Sequence, residues 1–347
     1  MKLMQGLLYF AGETAIYRKL RRMLMKLRRI IAILLSLLSI AGVMTSCGES
    51  GTYTVGIVQQ MPHVALDDAS RGFKDALIEE FGEDNITFLE QNAQGESTAC
   101  TTIVNDFVTK NVDLILANAT TALQAAANGT SAIPVLGTSV TEYGTALGID
   151  NFNGLVGNNV SGTSDLAPLD QQAAMILELY PDTKSVALLY CSAEPNSAYQ
   201  VKVVREELEK NGITCTDFQF ADSNEISSVA KAAAAAADVI YIPTDNTAAA
   251  CAEAINGAVL PTGTPIMGGD EGICAGCGIA TLCISYYDLG YTTGKMAAKI
   301  LRGEEKIEEM PIAYSEKFSK VYNKTNCEEL GVDIAALEAA GYTAIGE

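Results

Sequence analysis

The sequence of 347 residues contains no tryptophan and a single histidine, His63. The lack of tryptophan disfavours a sugar site built on indole stacking. One histidine excludes metal sites that need several histidines, and any mechanism that needs two. Basic residues are also scarce, since 23 Lys and Arg stand against 42 Asp and Glu. A surface of this sign repels phosphate backbones, so we do not expect nucleic acid as a partner.

Common catalytic and nucleotide-binding motifs are missing as well. The sequence has no G-x-S-x-G, no P-loop, and no G-x-G-x-x-G after a predicted strand. Among nine cysteines, the one suggestive pair is Cys274 and Cys277, which we expect to be buried or to form a local disulfide. A four-ligand zinc site would need a second such pair. We therefore expect neither an enzyme, nor a metal site, nor a cofactor.

Apolar residues form one long run, near the N-terminus. Basic residues at 26–29 precede an apolar run at 30–44, and Thr45 and Ser46 then lead to Cys47. A basic segment, an apolar segment and small residues at the cleavage point are typical of a secretory signal peptide. The run of 15 residues is also shorter than the roughly 20 that a transmembrane helix needs.

Cys47 follows small residues in a pattern that resembles the lipobox of bacterial lipoproteins. The resemblance implies that Cys47 is acylated and becomes the new N-terminus. It predicts an extracytoplasmic protein that is held on the cell membrane by a lipid anchor. Residues 1–46 are then a signal peptide, and a start at Met23 or Met25 would give it a normal length. An uncleaved signal anchor and a plain secreted protein are the alternatives.

Removing the signal segment makes the chain more acidic. Residues 1–47 hold eight of the 23 basic residues and one of the 42 acidic residues, so the remainder has 15 basic and 41 acidic residues and a net charge of −26. Such a charge favours solubility at a cell surface. About 300 residues are left, which is enough for two lobes of ordinary domain size.

Strand and helix signals alternate along this remainder. Strands are predicted at 53–58, 85–90, 112–117, 134–137, 155–160, 185–190, 213–220, 239–242, 265–268 and 279–284. Helices are predicted at 69–81, 97–110, 120–128, 170–180, 199–211, 222–237, 247–259 and 289–301. Apolar strands that alternate with helices favour parallel sheets covered on both faces. Because the pattern restarts after 161–168, a stretch suited to a hinge, we predict an α/β fold with two doubly wound, Rossmann-like lobes.

Polar residues follow the predicted strands in both series. They include Gln59, His63, Thr120, Thr121 and Thr141 in the first series, and Asn196, Asp245, Asn246 and Asp270 in the second. In open parallel sheets, ligands bind outside the carboxyl ends of the strands. Two polar rims that face each other across a hinge would make a clamp for a small ligand.

Several of these residues could bind the charged groups of a small ligand. Thr120 and Thr121 open a predicted helix, and their hydroxyls and free N–H groups suit a carboxylate, although simple capping is the alternative. Asp245 and Asp270 suit an ammonium group, or else cap the following helices. His63 is a candidate for contact with the ligand or a lid, against an ordinary structural role.

Several segments resemble the tryptophan/tyrosine-type group of ABC-transporter substrate-binding proteins, which have the type I periplasmic-binding fold. The segments are Ile57-Val58-Gln59, His63-Val64-Ala65-Leu66-Asp67, Gly72-Phe73, Asn92-Ala93-Gln94-Gly95, Val112-Asp113-Leu114-Ile115, Ala119-Thr120-Thr121-Ala122, Glu194-Pro195-Asn196-Ser197, Ile242-Pro243-Thr244-Asp245-Asn246 and Tyr286-Tyr287-Asp288-Leu289-Gly290. Their order and spacing are specific and cover about residues 53–333. The chain departs from the family pattern at Val64, where proline is usual, and at Glu142-Tyr143, where Asp-Pro is usual.

The resemblance implies import of a small ligand, often an aromatic amino acid, through a membrane permease driven by an ATPase. It implies three hinge segments near 161–168, 284–288 and 311–316. The lobes would comprise 53–163 with 286–313, and 164–285 with 314–347. Asn196 and Asn246 would add polar contacts to the ligand, and we expect a monomer.

Two other functions stay open on the sequence. A ligand-binding sensor lipoprotein would use the same binding chemistry but would signal to a partner kinase instead of feeding a permease. A type I binder of a nucleoside or sugar would need base-stacking aromatics or an arginine-rich rim, and the predicted rims have neither.

Overall fold

The computed structural model describes residues 52–345 together with Met23. The predicted signal peptide and Cys47 otherwise lie outside the described residues. Contacts along the chain place residues 52–345 within one compact unit. No helix in the described part of the chain is long and apolar enough to cross a membrane.

Strands and helices alternate through the described residues. The strands are β1 (Tyr53–Gln59), β2 (Ile86–Asn92), β3 (Leu114–Asn118), β4 (Val135–Val140), β5 (Val160–Ser164), β6 (Ser185–Cys191), β7 (Thr214–Phe220), β8 (Val239–Ile242), β9 (Ile266–Gly268), β10 (Ala280–Cys283), β11 (Ala313–Tyr314), β12 (Ser319–Asn323) and β13 (Thr343–Ile345). The helices are α1 (Val64–Phe81), α2 (Ser97–Thr109), α3 (Thr120–Gly129), α4 (Tyr143–Leu147), α5 (Leu169–Leu179), α6 (Pro195–Lys210), α7 (Ile226–Ala236), α8 (Asn246–Ala250), α9 (Ala252–Val259), α10 (Glu271–Gly276), α11 (Tyr286–Leu301), α12 (Lys324–Leu330) and α13 (Ile334–Ala339). Short 3-10 turns occupy Glu83–Asn85, Leu260–Thr262 and Ile307–Glu309.

The strands form two sheets. The first has the order β11-β5-β4-β3-β1-β2, and all of its pairs are parallel. The second has the order β13-β12-β10-β9-β8-β6-β7, in which β10 and β12 are the antiparallel pair. The predicted α/β architecture with two parallel-dominated sheets is confirmed.

β1 shows why these sheets need a helix layer on each face. Its residues alternate, so that Ile57 packs into the cluster of α1 and α11 while Val58 packs into the cluster of α2 and α3. Gly56 lies under α2, where an added Cβ would come within 2.6 Å of the Phe107 ring. A strand buried on both faces reads as a continuous apolar run, which is why the sequence predicted it well.

The chain passes between the two sheets three times within residues 52–345. β1 to β5 belong to the first sheet and β6 to β10 to the second, after which α11 returns to pack on α1. Glycines allow these two helices to touch closely, since an added Cβ on Gly290 would lie 1.9 Å from the Ala69 carbonyl oxygen. β11 then joins the first sheet, and β12 and β13 join the second.

Two predicted elements were wrong. The strand predicted at 155–160 is β5 at Val160–Ser164, because the apolar residues near 155 stand between Gly154 and Gly157, whose φ angles of 92° and 80° belong to turns. The helix predicted at 247–259 is interrupted at Cys251 and forms α8 and α9. Helix starts were also placed too late, since α1 begins at Val64 and α6 at Pro195, a residue suited to the first helical position.

Candidate functional site

The loop after β1 is held in place by Gln59. Its Nε2 donates to the Met61 carbonyl oxygen at 3.0 Å and to Asp67 Oδ1 at 2.7 Å, and its Oε1 accepts from the Ser70 hydroxyl at 2.8 Å. These bonds fix the start of α1 against the end of β1. Gln59 is buried, and its amide is occupied by protein partners.

The start of α3 presents hydroxyl groups toward the same edge of the sheet. Thr120 is buried and Thr121 is half-buried, and neither hydroxyl makes a hydrogen bond to a residue within 52–345. The Thr121 N–H donates to Gln60 Oε1 at 3.2 Å. Gln60, which the sequence did not single out, thus takes one of the N–H groups that a helix leaves free in its first turn.

His63 joins the two lobes directly. Its Nε2 lies 3.1 Å from Asn246 Oδ1, at the start of α8. Because Asn246 Nδ2 donates to Glu194 Oε2 at 2.7 Å, the amide oxygen must face His63, and His63 Nε2 is the donor. Burial lowers the pKa of His63, opposed by this hydrogen bond and by the charges of Glu194 and Asp67. The lowered pKa favours the neutral ring, and the buried Nδ1 has no partner in residues 52–345.

Glu194 organises the rim of the second lobe, and the sequence did not single it out as a site residue. Its buried carboxylate accepts from Asn196 Nδ2, from the N–H and Nδ2 of Asn246, and from the N–H and hydroxyl of Thr247. The distances run from 2.7 to 3.2 Å. A carboxylate with five donors fixes α8 against the loop before α6.

Asp245 is hydrogen-bonded within the same rim. Its Oδ1 accepts the Ala248 N–H at 2.8 Å, which caps α8, and its Oδ2 accepts the Cys191 N–H and the Ser197 hydroxyl, each at 2.7 Å. Burial, and then the Glu194 charge, raise the pKa of Asp245 to about 8. The sequence allowed Asp245 either to bind an ammonium group or to cap the following helix, and the structure shows the cap.

Asn196 is also bound within the rim. Its Nδ2 donates to the Thr244 carbonyl oxygen at 3.1 Å in addition to Glu194. Gln200 closes the network, because its Nε2 donates to the same carbonyl oxygen and its Oε1 accepts the Thr244 N–H. The amide of Asn196 therefore holds β8 against α6.

A further buried carboxylate, that of Asp165, lies where the chain crosses between the lobes. Asp165 follows β5, and its Oδ2 accepts the Tyr286 hydroxyl at 2.9 Å, whereas its buried Oδ1 has no partner within residues 52–345. Burial raises the pKa of Asp165, and the nearby Thr141 and Tyr286 hydroxyls lower it. Asp165 was missed by sequence reasoning, which had placed it inside the hinge.

Asp270 lies within electrostatic range of Asp165 and Tyr286. Its Oδ1 accepts the Ile273 N–H at 2.8 Å and caps α10, so only one of its oxygens takes part in that bond. Burial raises the pKa of Asp270 to about 7, with the Ile273 bond acting against it and the Asp165 charge adding to it. The Ser139 hydroxyl, at the end of β4, is buried without a partner in the described chain. This region therefore combines two buried carboxyl groups with polar atoms that have no partner in the described chain.

Three tyrosines near the cleft differ in how far their hydroxyl groups are engaged. Tyr143 is fully buried and donates to the Thr163 carbonyl oxygen at 3.0 Å, so it belongs to the core of the first lobe. Tyr286 is engaged with Asp165. Tyr199 is half-buried on α6, and the Glu142 charge across the cleft, after burial, raises its pKa.

Metal and redox chemistry find no support in the described residues. Within 52–345 no three His, Cys, Asp or Glu side chains are grouped to hold a metal ion. Cys274 and Cys277 are both free and buried. Burial raises the pKa of each thiol well above its usual value, which keeps both protonated and unreactive.

Comparisons with known proteins agree with this geometry. Residues 54–339 match the family model described as ABC transporter substrate binding protein. A tyrosine-binding protein of Clostridioides difficile is 30% identical over 278 residues, which is 80% of each chain. A conserved domain protein of Vibrio cholerae has a TM-score of 0.80 at 30% identity, over 84% of this chain and 99% of that one.

Two further solved structures differ in their state. A Streptococcus pneumoniae ABC domain in complex with L-Trp has a TM-score of 0.80 at 30% identity, over 85% of this chain and 100% of that one. The ligand-free, open structure of a Clostridium difficile substrate binding protein has a lower TM-score of 0.65 at 32% identity and the same coverage. The match over residues 54–339 and the two facing sheets make the chain a member of the ABC transporter substrate-binding protein family, with the type I periplasmic-binding fold.

Proposed function

We propose that this protein captures an amino acid between its lobes and delivers it to a membrane permease. An aromatic amino acid is our first candidate. One observation carries the proposal: the buried Asp165 Oδ1 has no partner within residues 52–345, beside a second carboxylate at Asp270. An ammonium group supplies the donors and the charge that this pair lacks. The relatives named for tyrosine and crystallised with L-Trp support the same ligand class.

The carboxylate of the ligand would bind to the first lobe. The start of α3 offers the Thr120 and Thr121 hydroxyls, together with the partial positive charge of a helix N-terminus. Ser139 and Thr141, at the end of β4, add further hydroxyls. No lysine or arginine is needed, since backbone N–H groups and hydroxyls satisfy a carboxylate.

In this proposal the second-lobe residues mainly hold the cleft in its shape and do not bind the ligand themselves. Asp245 and Asn196 hold the rim, while Asn246 reaches across the cleft to His63. Gln59 holds the opposite loop. Tyr199 is our candidate for contact with the side chain of the ligand, because its hydroxyl is not tied into a core.

The proposal includes the lobes and the membrane. The lobes comprise 53–163 with 286–313, and 164–285 with 314–347, and they close about segments 161–168, 284–288 and 311–316. A lipid at Cys47 keeps the monomeric protein outside the cytoplasm beside its permease and ATPase. Replacing Cys47 by serine is expected to release the protein from the membrane fraction; unchanged retention would contradict the anchor.

Native mass spectrometry of the protein purified without added ligand tests the ligand class. We expect a bound amino acid to be carried through purification. A thermal-shift screen of the common amino acids should then show one clear stabilisation, because a ligand that binds only the folded state raises its stability. No bound amino acid and no shift with any of them would overturn the proposal.

A further inference from the structure

Gln60 directly follows β1, and the ends of two neighbouring strands hold its backbone in place. Its N–H donates to the Asn118 carbonyl oxygen at 3.2 Å, and its carbonyl oxygen accepts from the Gly95 N–H at 2.9 Å. Asn118 ends β3, and Gly95 lies shortly after β2. These two bonds fix Gln60 at the carboxyl edge of the first sheet, which is the edge where open parallel sheets bind ligands.

The side-chain amide of Gln60 has one orientation. Its Oε1 accepts the Thr121 N–H at 3.2 Å, and Nε2 must face away from this donor, because only the oxygen of an amide accepts a hydrogen bond. Nε2 makes no hydrogen bond to a residue within 52–345, although Gln60 is only 5% exposed. It is not among the fully enclosed polar atoms without a partner, so it borders open space. Two N–H donors are therefore available beside the first turn of α3.

Gln59 shows the opposite pattern one residue earlier. Its Nε2 donates to Met61 and Asp67, and its Oε1 accepts from Ser70. Of the two consecutive glutamines, Gln59 is used by the fold, whereas Gln60 keeps donors that the described chain does not use.

The first turn of α3 adds donors of the same kind. Ala119 occupies the N-cap position, and its methyl group cannot accept a hydrogen bond from the helix. The N–H groups of Thr120 and Ala122 have no acceptor within residues 52–345, and both residues are buried. In the second lobe, by contrast, Asp245 and Asp270 cap their helices. A buried helix start without a cap needs an acceptor from elsewhere.

The backbone of Ala119 is also strained. Its φ and ψ angles of 87° and 164° lie in a region that glycine adopts easily and alanine rarely. Ser139, near the end of the neighbouring strand β4, has a φ angle of 56°. Such strain persists only where the surrounding structure maintains it, and it is common where a protein binds a ligand. Both residues lie on the same rim as the unused donors of Gln60.

We propose that Gln60 binds the carboxylate of the amino acid through Nε2, and that it sets the preference for ligands that carry a carboxylate. This inference rests on the proposed function and adds a residue to its first-lobe site. The groups left unused at this point are N–H donors, so they disfavour a cation and favour an anion. One carboxylate can accept from Gln60 and from the start of α3 at the same time.

Calorimetric titration of Gln60→Glu against matched ligands tests the proposal. L-tyrosine is compared with L-tyrosinamide, and L-tryptophan with L-tryptophanamide, which carry a neutral carboxamide in place of the carboxylate. Glutamate keeps an acceptor for the Thr121 N–H but replaces the two donors with a negative charge. We expect amino-acid affinity to fall about 100-fold or more, and the wild-type preference for the amino acid over its carboxamide to be lost or reversed.

Two further variants separate charge from shape. Gln171→Glu adds the same charge at an exposed residue of α5, outside the cleft, and should bind both ligands like the wild type. Gln60→Met keeps the length of the side chain without donors or charge, and its amino-acid affinity should fall about tenfold. Because it also removes the acceptor for the Thr121 N–H, thermal unfolding without ligand should show that it is less stable than Gln60→Glu.

The comparison is made within each variant, so a general change of the cleft affects both ligands alike. The proposal is overturned if Gln60→Glu binds the amino acid as tightly as the wild type does. An equal loss for the amino acid and its carboxamide, down to no measurable binding of either, assigns Gln60 to the fold and overturns it too. Absence of amino-acid binding in the wild type would instead overturn the proposed function.

Discussion

On the rim of the second lobe, the buried carboxylates of Glu194 and Asp245 accept eight hydrogen bonds from protein groups. On the rim of the first lobe and in the crossing segment beside it, Ser139 Oγ and Asp165 Oδ1 have no partner within residues 52–345. Unpaired buried polar atoms cost free energy in the ligand-free protein. The difference indicates that the polar groups of the second-lobe rim stabilise the fold, whereas those without partners are available to a ligand. Substitutions on the two rims should therefore have opposite effects on stability and on affinity.

The largest expected effect is on the second-lobe rim. Glu194→Ala leaves the N–H and Nδ2 of Asn246 and the N–H of Thr247 without an acceptor, whereas Asn196 Nδ2 keeps the Thr244 carbonyl oxygen. Since each buried donor left unpaired costs about 1–3 kcal/mol, the free energy of unfolding should fall by about 3 kcal/mol or more. Urea unfolding without ligand measures this change.

Ser139→Ala is the control from the other rim. It removes a buried hydroxyl that has no partner in the described chain, so the free energy of unfolding should stay unchanged or rise. Equal losses of stability in both variants would remove the contrast between the rims.

Asp165→Asn is expected to separate affinity from stability. The variant keeps the shape of the side chain but loses the charge that we propose for the ammonium group. A hydrogen bond to a charged group is worth about 1.5–3 kcal/mol, so amino-acid affinity should fall about 10-fold to 150-fold. Stability without ligand should not fall, because the variant removes a buried charge while its amide oxygen can still accept from Tyr286.

Calorimetric titration and thermal unfolding of the same Asp165→Asn sample give both values. Asp84→Asn, at an exposed residue outside the cleft, is the matched control. A loss of stability without a loss of affinity would assign Asp165 to the fold and not to the ligand.

The pH dependence should have opposite signs with and without ligand. Burial raises the pKa of Asp270 to about 7 from 3.8, so between these values the folded protein holds more protons than the unfolded protein. The free energy of unfolding therefore falls as pH rises through this window, by up to about 1.4 kcal/mol per pH unit for one proton. Asp245, with a pKa raised to about 8, adds to the same trend.

An ammonium ligand reverses this dependence, because it favours ionised carboxylates. Affinity should rise with pH up to about 7, by at most about tenfold per unit for each proton released. Calorimetry in two buffers of different ionisation enthalpy counts the protons. Asp270→Asn should flatten the profile; a wild-type affinity that does not change between pH 5 and 7 would contradict the role of the carboxylate pair.

The smallest expected effect concerns the bond between the rims. His63→Ala removes the hydrogen bond to Asn246, which is worth about 1 kcal/mol, and should lower amino-acid affinity about fivefold by favouring the open form. Small-angle scattering should show a larger fraction of open protein than in the wild type. His63→Gln, which can still donate to the amide, is expected to recover part of the affinity. Unchanged scattering in both variants would show that this bond does not control closure.

How well the sequence predicted the molecule depended on how local each feature is. The apolar run of β1 and the position of His63 after it are written in consecutive residues, so both could be predicted. β5 could not, because it contains Gly162 at φ 146°, packed so closely that an added Cβ would lie 2.1 Å from the Gly137 carbonyl oxygen. Only the neighbouring strand explains that glycine.

The same reasoning applies to the candidate site. Asp245 and Asp270 each follow a strand and precede a helix, and both cap the helix, a role that the sequence could not separate from ligand contact. Asp165 lies in a segment that crosses between the lobes. Its Oδ2 accepts from Tyr286, 121 positions later, and only Oδ1 is left without a partner in the described chain. A signal in hindsight is that Asp165 follows directly after β5, as other cleft residues follow their strands.

The central claim is that an ammonium group completes the Asp165–Asp270 site, and analogues of the ligand test it most directly. L-tyrosine and L-tryptophan would be titrated by calorimetry against 4-hydroxyphenylpropionate and indole-3-propionate, which keep the ring and the carboxylate but lack the ammonium group. The account predicts that the amino acid which binds the wild type loses at least about tenfold in affinity when its ammonium group is removed, and much less in Asp165→Asn. Equal affinity of the wild type for an amino acid and its analogue would contradict it.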